Sequence, residues 1–421
     1  MGTSDNFRKR AEDVLARCAK LATFSETPGG ICRTFLSPPM RDCHREVGAW
    51  LTAAGAAVTV DAAGNLRGLY PASQRSAARL ILGSHLDTVP NAGAYDGVLG
   101  VLIAVALLES PYGQSLPFAV EVVGFSEEEG VRFGTPFIGS RALVGRVDDQ
   151  LLNLQDATGA SLRSAIENFG LSPAELSNAV LHHDTLAYLE FHIEQGPVLE
   201  SLNYPLAAVE AIAGQTRMEF VFLGRANHAG TTPMHLRRDS LAAAAEWIVA
   251  VEHTAQQDPD LVATVGRIDA KPGATNVIAG DVCATLDVRH KSDDVRQRTT
   301  NALVESALHI ADRRGLSLVS RVLLDQCAVA MDSYLLTEID QAIRMTGSHP
   351  HRVVSGAGHD AMILAEKVPA GMIFLRTPGG ISHDPAESVD VADVAKAIEC
   401  GLCLLDQLAH SSHLQERMSR A

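Results

Sequence analysis

Five short segments of this sequence concentrate side chains that bind metal ions through nitrogen or oxygen. They are GSHLDTVPNAGAYDG (His85, Asp87, Asp96), FSEEEG (Glu127, Glu128, Glu129), FHIEQGP (His192, Glu194), SGAGHDAM (His359, Asp360) and GGISHDPAES (His383, Asp384). Neutral imidazole and carboxylate together suit a borderline divalent ion such as zinc or manganese. A carboxylate between two such ions can bridge them, and a pair about 3.5–4 Å apart clamps both a water and the carbonyl it attacks. Each histidine taken alone reads more simply as a surface residue or a hydrogen-bonded core residue. Five such segments, each at a strand end or in a glycine-marked loop, favour a shared site. Other chemistry is weaker. Ser382, His383 and Asp384 are triad residue types, but neighbours in sequence cannot face one another as a triad requires, and no GxSxG elbow is present. Cys400 and Cys403 form a CxxC without the second pair that a zinc ribbon needs, and their text is that of an apolar-periodic helix, so they read as core.

The elements that must position these residues are legible in outline. Helical spacing runs from Asn6 to Ala22 and from Pro39 to Gly55, and strand-like text lies around Ala57 to Val60. Two short, continuous apolar runs, RLILGSHLDTV and FAVEVVGFS, read as strands buried on both faces, with a helix from Gly97 to Glu109 between them. Strands alternating with helices imply an α/β fold with a mostly parallel sheet flanked by helices. In such sheets ligands collect beyond the carboxyl ends of the strands, where His85, Asp87 and Glu127 to Glu129 fall.

The pattern changes after Gly214. TRMEFVFLG alternates as a strand, DSLAAAAEWIVAVEHTA reads as a helix, LVATVGRIDA and DVCATLDVRH as strands, and VRQRTTNALVESALHIADRRG as a helix. This implies a compact α+β module inserted into the first domain, with an exposed edge able to pair with a second copy. Buried-strand text (AGMIFLRT) and a last helix then return the chain to the first domain. The expected division is 1–211 and 327–421 for a discontinuous catalytic domain and 212–326 for the inserted one. The charge run HLRRD (Arg237, Arg238) reads as solvated surface at a helix start.

With 421 residues, 46% apolar and 20% charged, the chain has globular composition and room for two or three domains. Its 35 basic and 50 acidic residues leave a net charge of −15, which argues against a nucleic-acid-binding protein. An anionic substrate would then need a few placed Arg, His or metal charges to reverse the local field. No apolar run approaches the roughly 20 residues of a membrane helix. The start, MGTSDNFRKR, lacks the apolar stretch of a signal peptide, so the expectation is a cytoplasmic protein; the seven scattered cysteines then read as reduced thiols.

GSHLDTV…AYDG, an EEG triplet followed by RF, HIEQGPVLE, NHAGTTPM and GGISHDPAES together resemble the M20-type dinuclear amidohydrolases. The similarity is to the branch of allantoate amidohydrolases, N-carbamoyl-L-amino-acid hydrolases and β-ureidopropionases, and it runs from about Thr34 to Leu405. It implies a metallo-aminopeptidase-like catalytic domain, an inserted dimerisation and lid domain, and two divalent ions per subunit (zinc or manganese, with cobalt or nickel as further options). Carried over by position, His85 and His192 would bind one ion, Glu129 and His383 the other, and Asp96 would bridge them. Asp87 would hold the second nitrogen of His85, and Glu128 would be the general base. In the inserted domain His228 would assist catalysis in the neighbouring subunit's site. Asn276 and Arg289 would hold the substrate's carboxylate, and Gln195 is a further candidate substrate contact.

The activity implied is hydrolysis of a terminal ureido (carbamoyl) C–N bond in a small anionic compound by a homodimer, with release of ammonia and carbon dioxide. RTFLSPPMR and AIAGQTR look more like allantoate amidohydrolases than their relatives, so allantoate is the expected substrate. An N-carbamoyl-L-amino acid or 3-ureidopropionate is the alternative. A peptidase or aminoacylase reading is weaker, because those relatives resemble the pattern with a carboxylate where this chain has His192. A binding protein that kept the fold and lost the chemistry would lack a ligand or base, and none is missing here.

Overall fold

Strands whose side chains are apolar on both faces can only lie inside a sheet covered on both sides. In the computed structural model, which describes residues 3–73, 78–110 and 115–412, that is where they lie. The chain splits into two compact units, one of residues 1–210 and 331–421 and the other Ala211–Ala330.

The first unit opens with α1 (Thr3–Ala22) and α2 (Pro38–Ala53). Ser37 caps α2 by accepting from the Met40 amide, with two prolines in the first turn, where their missing N–H groups cost nothing. There follow β1 (Ala57–Val60), β2 (Leu66–Tyr70), β3 (Arg79–His85), α3 (Val98–Leu108) and β4 (Ala119–Phe125). After β4 come three short helices, α4 (Ile138–Leu143), α5 (Asp149–Leu152) and α6 (Leu162–Asn168). Then come β5 (Thr185–Ile193), α7 (Val198–Leu202) and β6 (Leu206–Ile212). β4, β3, β5 and a strand from the end of the chain run parallel side by side at the centre of the sheet, and antiparallel strands flank them. Every residue of β4 and β5 is buried. α3 is apolar all round and buried along its whole length, against β3, β4 and β5 on one side and α1 on another.

The second unit is built on period-two alternation. Its strands β7 (Gly214–Leu223), β8 (Asn227–His228), β9 (Val262–Thr264), β10 (Ile268–Lys271), β11 (Val277–Ile278), β12 (Asp281–His290) and β13 (Ser317–Gln326) form two antiparallel sheets. Its helices are α8 (Ser240–Ala255) and α9 (Asp293–Arg313). β7 and β12 alternate buried and partly exposed residues, and the buried set (Phe220, Phe222, Leu286, Val288) packs with Trp247 of α8 and Leu303 of α9. The expected single strand over LVATVGRIDA is interrupted: β9 and β10 pair with successive stretches of β12, with Gly266 in the gap. β13 pairs with β7, and its Val319, Val322 and Leu323 are exposed. Val329 and Ala330 (β14) pair with Ile212 and Ala211, so the two passages of chain between the units are bonded to each other.

The returning chain adds α10 (Ser333–Met345), β15 (Arg352–Ser355), α11 (Asp360–Leu364), β16 (Ala370–Leu375) and α12 (Val391–His410). β16 is the fourth parallel strand, beside β5. Cys400 is fully buried on α12 and Cys403 partly so, and all seven cysteines are free thiols. No described helix is long and apolar enough to cross a membrane.

The approach of α3 to the sheet depends on Gly100, where a Cβ would lie 2.0 Å from the Phe191 carbonyl oxygen and 2.9 Å from the Ser84 Cβ. Gly100→Ala should therefore push α3 away from β3 and β5 and lower stability by about 3 kcal/mol, the upper part of the usual range for overpacking. Urea unfolding of the metal-supplemented protein measures this, and an unchanged midpoint would mean that the helix is free to shift.

Candidate metal centre

The parallel strands deliver their chemistry at their carboxyl ends. His85 is the last residue of β3 and His192 the last but one of β5, with ring centroids 5.6 Å apart. The Nδ1 of His85 lies 3.0 Å from the Asp87 carbonyl oxygen and that of His192 lies 2.9 Å from the Ile193 carbonyl oxygen. A carbonyl can only accept, so both rings carry a proton on Nδ1 and turn Nε2 inward. The two Nε2 atoms face each other at 3.4 Å, and the Oδ1 of Asp96 lies 3.6 Å from one and 3.2 Å from the other. Such a triangle needs positive charge: against the effect of burial, the nearby carboxylates hold both rings above the usual histidine range, and a metal ion can take the place of the protons on Nε2. A tetrahedron with bonds of about 2.0–2.1 Å has edges of roughly 3.4 Å, which is this triangle. Asp96 Oδ1 is buried without a hydrogen-bond partner, so the donor set fits a divalent ion.

A second group uses the other face of the same carboxylate. His383 Nε2 lies 3.2 Å from Asp96 Oδ2 and 3.6 Å from Glu129 Oε1. Burial opposes the charge on Asp96, yet the imidazoles of His192, His383 and His85 hold its carboxyl well below the usual range. Glu128 is buried with Oε2 3.9 Å from His85 Nε2. Burial pushes its carboxyl well up, and the charges of Glu129, Asp360 and Asp87 add to that against the pull of His85. Burial likewise pushes Glu129 up to about 7.

Asp87 does something other than what the resemblance implies. Its main-chain carbonyl, not its carboxylate, holds His85, because the carboxylate stands 3.9 Å from Nδ1 and is engaged elsewhere. Its two oxygens accept from the amides of Glu128 and Glu129, each at 3.1 Å, and so fix the acidic loop after β4. Glu127 closes that loop by accepting from the amides of Arg132 and Phe133. Gln195 donates to Asp96 Oδ2 at 2.8 Å, and Ser382 donates to the same oxygen at 3.1 Å. Glu127, Gln195 and His383 all have left-handed backbone, with φ of 52°, 57° and 56°. That conformation is uncommon outside glycine and is held by the surrounding contacts.

Several contributors carried no role in the sequence reading. Glu387, in the tail of GGISHDPAES, accepts from the amides of Tyr95 and Asp96 at 2.8 and 3.1 Å and so suspends the Asp96 loop. Glu190, fully buried, accepts from Ser84, Tyr188 and the Ala361 amide, tying the ends of β3 and β5 to the start of α11. His359 packs edge-on against His192 at 4.5 Å, its Nε2 bonded to Ser355 Oγ. Arg33, 1% exposed, donates to the Leu86 carbonyl oxygen between the two motif residues. Glu194 caps α7 by accepting from the Val198 and Leu199 amides.

These five loops sit on a chain of which residues 81–407 match the model of peptidase family M20/M25/M40. The chain belongs to that family. Within it, the chain is 36% identical to allantoate deiminase 2 of Glycine max, over 94% of this chain and 89% of the relative. It is 38% identical to the N-carbamoyl-L-amino acid amidohydrolase of Geobacillus stearothermophilus, over 93% and 96%. Among solved structures, an amidase of the hydantoinase/carbamoylase family from Burkholderia multivorans superposes with a TM-score of 0.90 at 30% identity, covering 95% of this chain and 98% of that one. The α/β architecture with a large, mostly parallel sheet flanked by helices is the one these M20 proteins share.

In the second unit, His228 and Asn276 are brought together. His228 on β8 pairs with Val277 on β11, and the Ala229 amide donates to the Asn276 carbonyl oxygen at 2.9 Å. Both side chains are exposed. Arg289 lies on the other sheet, on β12, where its guanidinium forms two 2.9 Å bonds to Asp287. Arg237 is not simply solvated as the charge run suggested: it donates to the Thr232 and Ala229 carbonyl oxygens and so clasps the loop that carries His228.

Asp87→Asn keeps one acceptor for the acidic loop and replaces the other with a donor that the Glu129 amide cannot bond. Retention of a divalent ion should fall by about 10–100-fold, the usual cost of losing a support to a ligand, while the fold persists. Elemental analysis after dialysis against a graded chelator, with circular dichroism alongside, measures both.

Proposed function

We propose that this chain is a metal-dependent hydrolase of terminal ureido groups and that allantoate is its substrate, converted to ureidoglycine with release of ammonia and carbon dioxide. The observation that carries the reading is the Asp96 carboxylate set among three imidazole nitrogens, with the buried Glu128 carboxyl beside them. In this proposal His85, His192 and Asp96 hold one divalent ion and Asp96, Glu129 and His383 a second. Zinc or manganese suits the donors best, with cobalt or nickel as substitutes. Such ions would lower the pKa of a water and polarise the carbamoyl oxygen.

Glu128 is the proposed base. Its carboxylate takes the proton of the attacking water, burial having raised its affinity for one, and passes it to the departing nitrogen as the C–N bond breaks. The carbamate left behind loses carbon dioxide. His228 would stabilise the oxyanion, and Asn276 and Arg289 would hold the substrate carboxylate, since a guanidinium grips a carboxylate with two parallel bonds. Arg289 must then exchange or share its bonds to Asp287, which it makes in the absence of substrate. Gln195 would present the remaining edge of its amide to substrate. We further propose a cytoplasmic homodimer, formed through the exposed β13 edge of the inserted unit.

The second reading is an N-carbamoyl-L-amino-acid hydrolase, favoured by the relative of that name at 38% identity. Both substrates place a carboxylate beside a ureido nitrogen. Turnover measured side by side with allantoate, N-carbamoyl-L-amino acids and 3-ureidopropionate decides between them: the allantoate proposal requires the highest kcat/KM on allantoate.

Two variants test the roles within the acidic loop. Glu128→Gln should retain both ions and lower kcat by about 10²–10⁴, the worth of a general base. Glu129→Gln should lose an ion instead. Exchanged phenotypes, read by elemental analysis and initial rates, would move the base one position along the loop. Chelation should abolish turnover in the wild-type protein, and turnover by protein shown to be metal-free would overturn the reading.

A further inference from the structure

The M20 centre uses one end of β5; the other end carries a cluster that the proposed reaction leaves without a role. We propose that His182, His183 and Asp184 form a separate, peripheral site for a zinc-class divalent cation (Zn²⁺, Ni²⁺ or Cu²⁺). The three residues immediately precede Thr185, the first residue of β5, whose far end holds His192. Eight residues of extended chain at about 3.3 Å each put roughly 26 Å between Asp184 and His192, so the two sites share no ligand.

The geometry is that of a site rather than of a chance cluster. Asp184 Oδ2 lies 3.5 Å from His182 Nδ1 and 3.2 Å from His183 Nε2, and the three ligand atoms all lie within 4.8 Å of one another. Two of these separations match the roughly 3.4 Å edge of a tetrahedron with 2.0–2.1 Å bonds, the criterion that the central triangle also meets. The backbone is already fixed. The Thr185 amide and hydroxyl both donate to the His182 carbonyl oxygen at 3.0 and 2.7 Å, and the Arg79 amide donates to that of Asp184 at 3.1 Å. The two imidazoles stack with centroids 4.3 Å apart, so binding would leave the main chain in place and turn the side chains until both ring planes contain the ion.

Charge and tautomer point the same way. The Asp184 side chain is only 6% exposed, and among the described residues it forms ion pairs with these two histidines alone. A buried carboxylate needs a compensating positive charge. His182 Nδ1 accepts a long bond from the Asp184 amide at 3.3 Å, so that nitrogen carries a lone pair, which an ion would draw away from the amide. The nearby Arg79 would repel a cation, but Glu121 engages both it and Arg67, at 3.1 and 2.6 Å, and Asp61 lies 3.8 Å from Arg67, so two carboxylates face the two guanidiniums. Two imidazoles and one carboxylate select a borderline ion over magnesium or calcium, which prefer all-oxygen shells. His183, with 82% of its side chain exposed, leaves the remaining positions to water, so the ion should exchange freely.

The test is equilibrium dialysis of the full-length, metal-loaded protein against buffered Zn²⁺ from nanomolar to high micromolar, with bound metal read by elemental analysis. The expected result is one more ion per wild-type chain than per His183→Ala chain, with Asp184→Asn behaving like His183→Ala. His183 is so exposed that its replacement should not disturb folding, and turnover of that variant should be unchanged. His85→Ala should lose metal at the centre yet keep the outer ion, which separates failure of this proposal from failure of the central assignment. Equal stoichiometry in wild-type and His183→Ala protein would overturn the proposal and leave an ordinary surface ion pair. So would an outer ion bound only at millimolar Zn²⁺.

Discussion

Asp96 holds its carboxylate among three imidazoles, and the contacts around it are those needed to keep a charged group in that position. Two imidazole nitrogens and a carboxylate oxygen meet within 3.2–3.6 Å. Around them lie Asp87, Glu127, Glu128, Glu190, Asp360 and Glu387, all buried. Burying carboxylates without partners is strongly unfavourable, so the arrangement is stable only with cations or protons among them. Arg33, a buried guanidinium nearby, is committed to main-chain carbonyls of Leu86, Leu21 and Phe24. Main-chain amides do most of the remaining work: Asp87, Glu127, Glu190 and Glu387 each accept at least one, converting buried charge into fixed loop geometry. The scaffold is rigid where this matters, because β3, β4, β5 and α3 have almost no exposed surface along which to shift.

Much of this was legible in the sequence, and for identifiable reasons. Continuous apolar runs marked β3, β4 and β16, and strict alternation marked β7 and β12, because burial on two faces or on one leaves different periods. Ligand-rich segments fall at strand ends, because residues there leave the sheet together at one edge. The supports were harder to see. Glu190 carried a usable signal, since it lies two residues before His192 in a strand and must share its face, but a carboxylate in an apolar run has no motif of its own. Glu387 and His359 lay inside quoted segments without a role, because a residue that acts through main-chain amides is recognised by where the loop folds. The stretch around α5 and α6 carries no legible pattern. Helices of four to seven residues are too short to show a period, yet Leu151, Leu152, Leu162 and Ile166 build a small core of their own with Phe35 and Phe133.

The second unit shows the same economy in a different form. Its buried Arg296 pairs with Asp293 and Asp325 and contacts Thr216, joining α9 to β7 and β13 through charge rather than through apolar contact. Arg237 likewise uses main-chain carbonyls to shape the His228 loop. In both units, then, arginine serves as a multi-pronged donor to the backbone or to paired carboxylates, a role that the short ammonium of lysine fills poorly.

The left-handed backbone at Glu127, Gln195 and His383 has a consequence for the history of such a chain. β-Branched and bulky residues tolerate that conformation badly, so the set of side chains that drift can sample at these positions is small. A single inserted or deleted residue would also rotate Glu128 or His383 out of the centre, which makes the loops resistant to changes in length as well as in composition. The ribbon that bears His228 and Asn276 is exposed and has ordinary backbone demands, so its fold constrains its side chains less. A lineage built on this scaffold would be expected to hold these loops fixed in length and backbone while the ribbon varies.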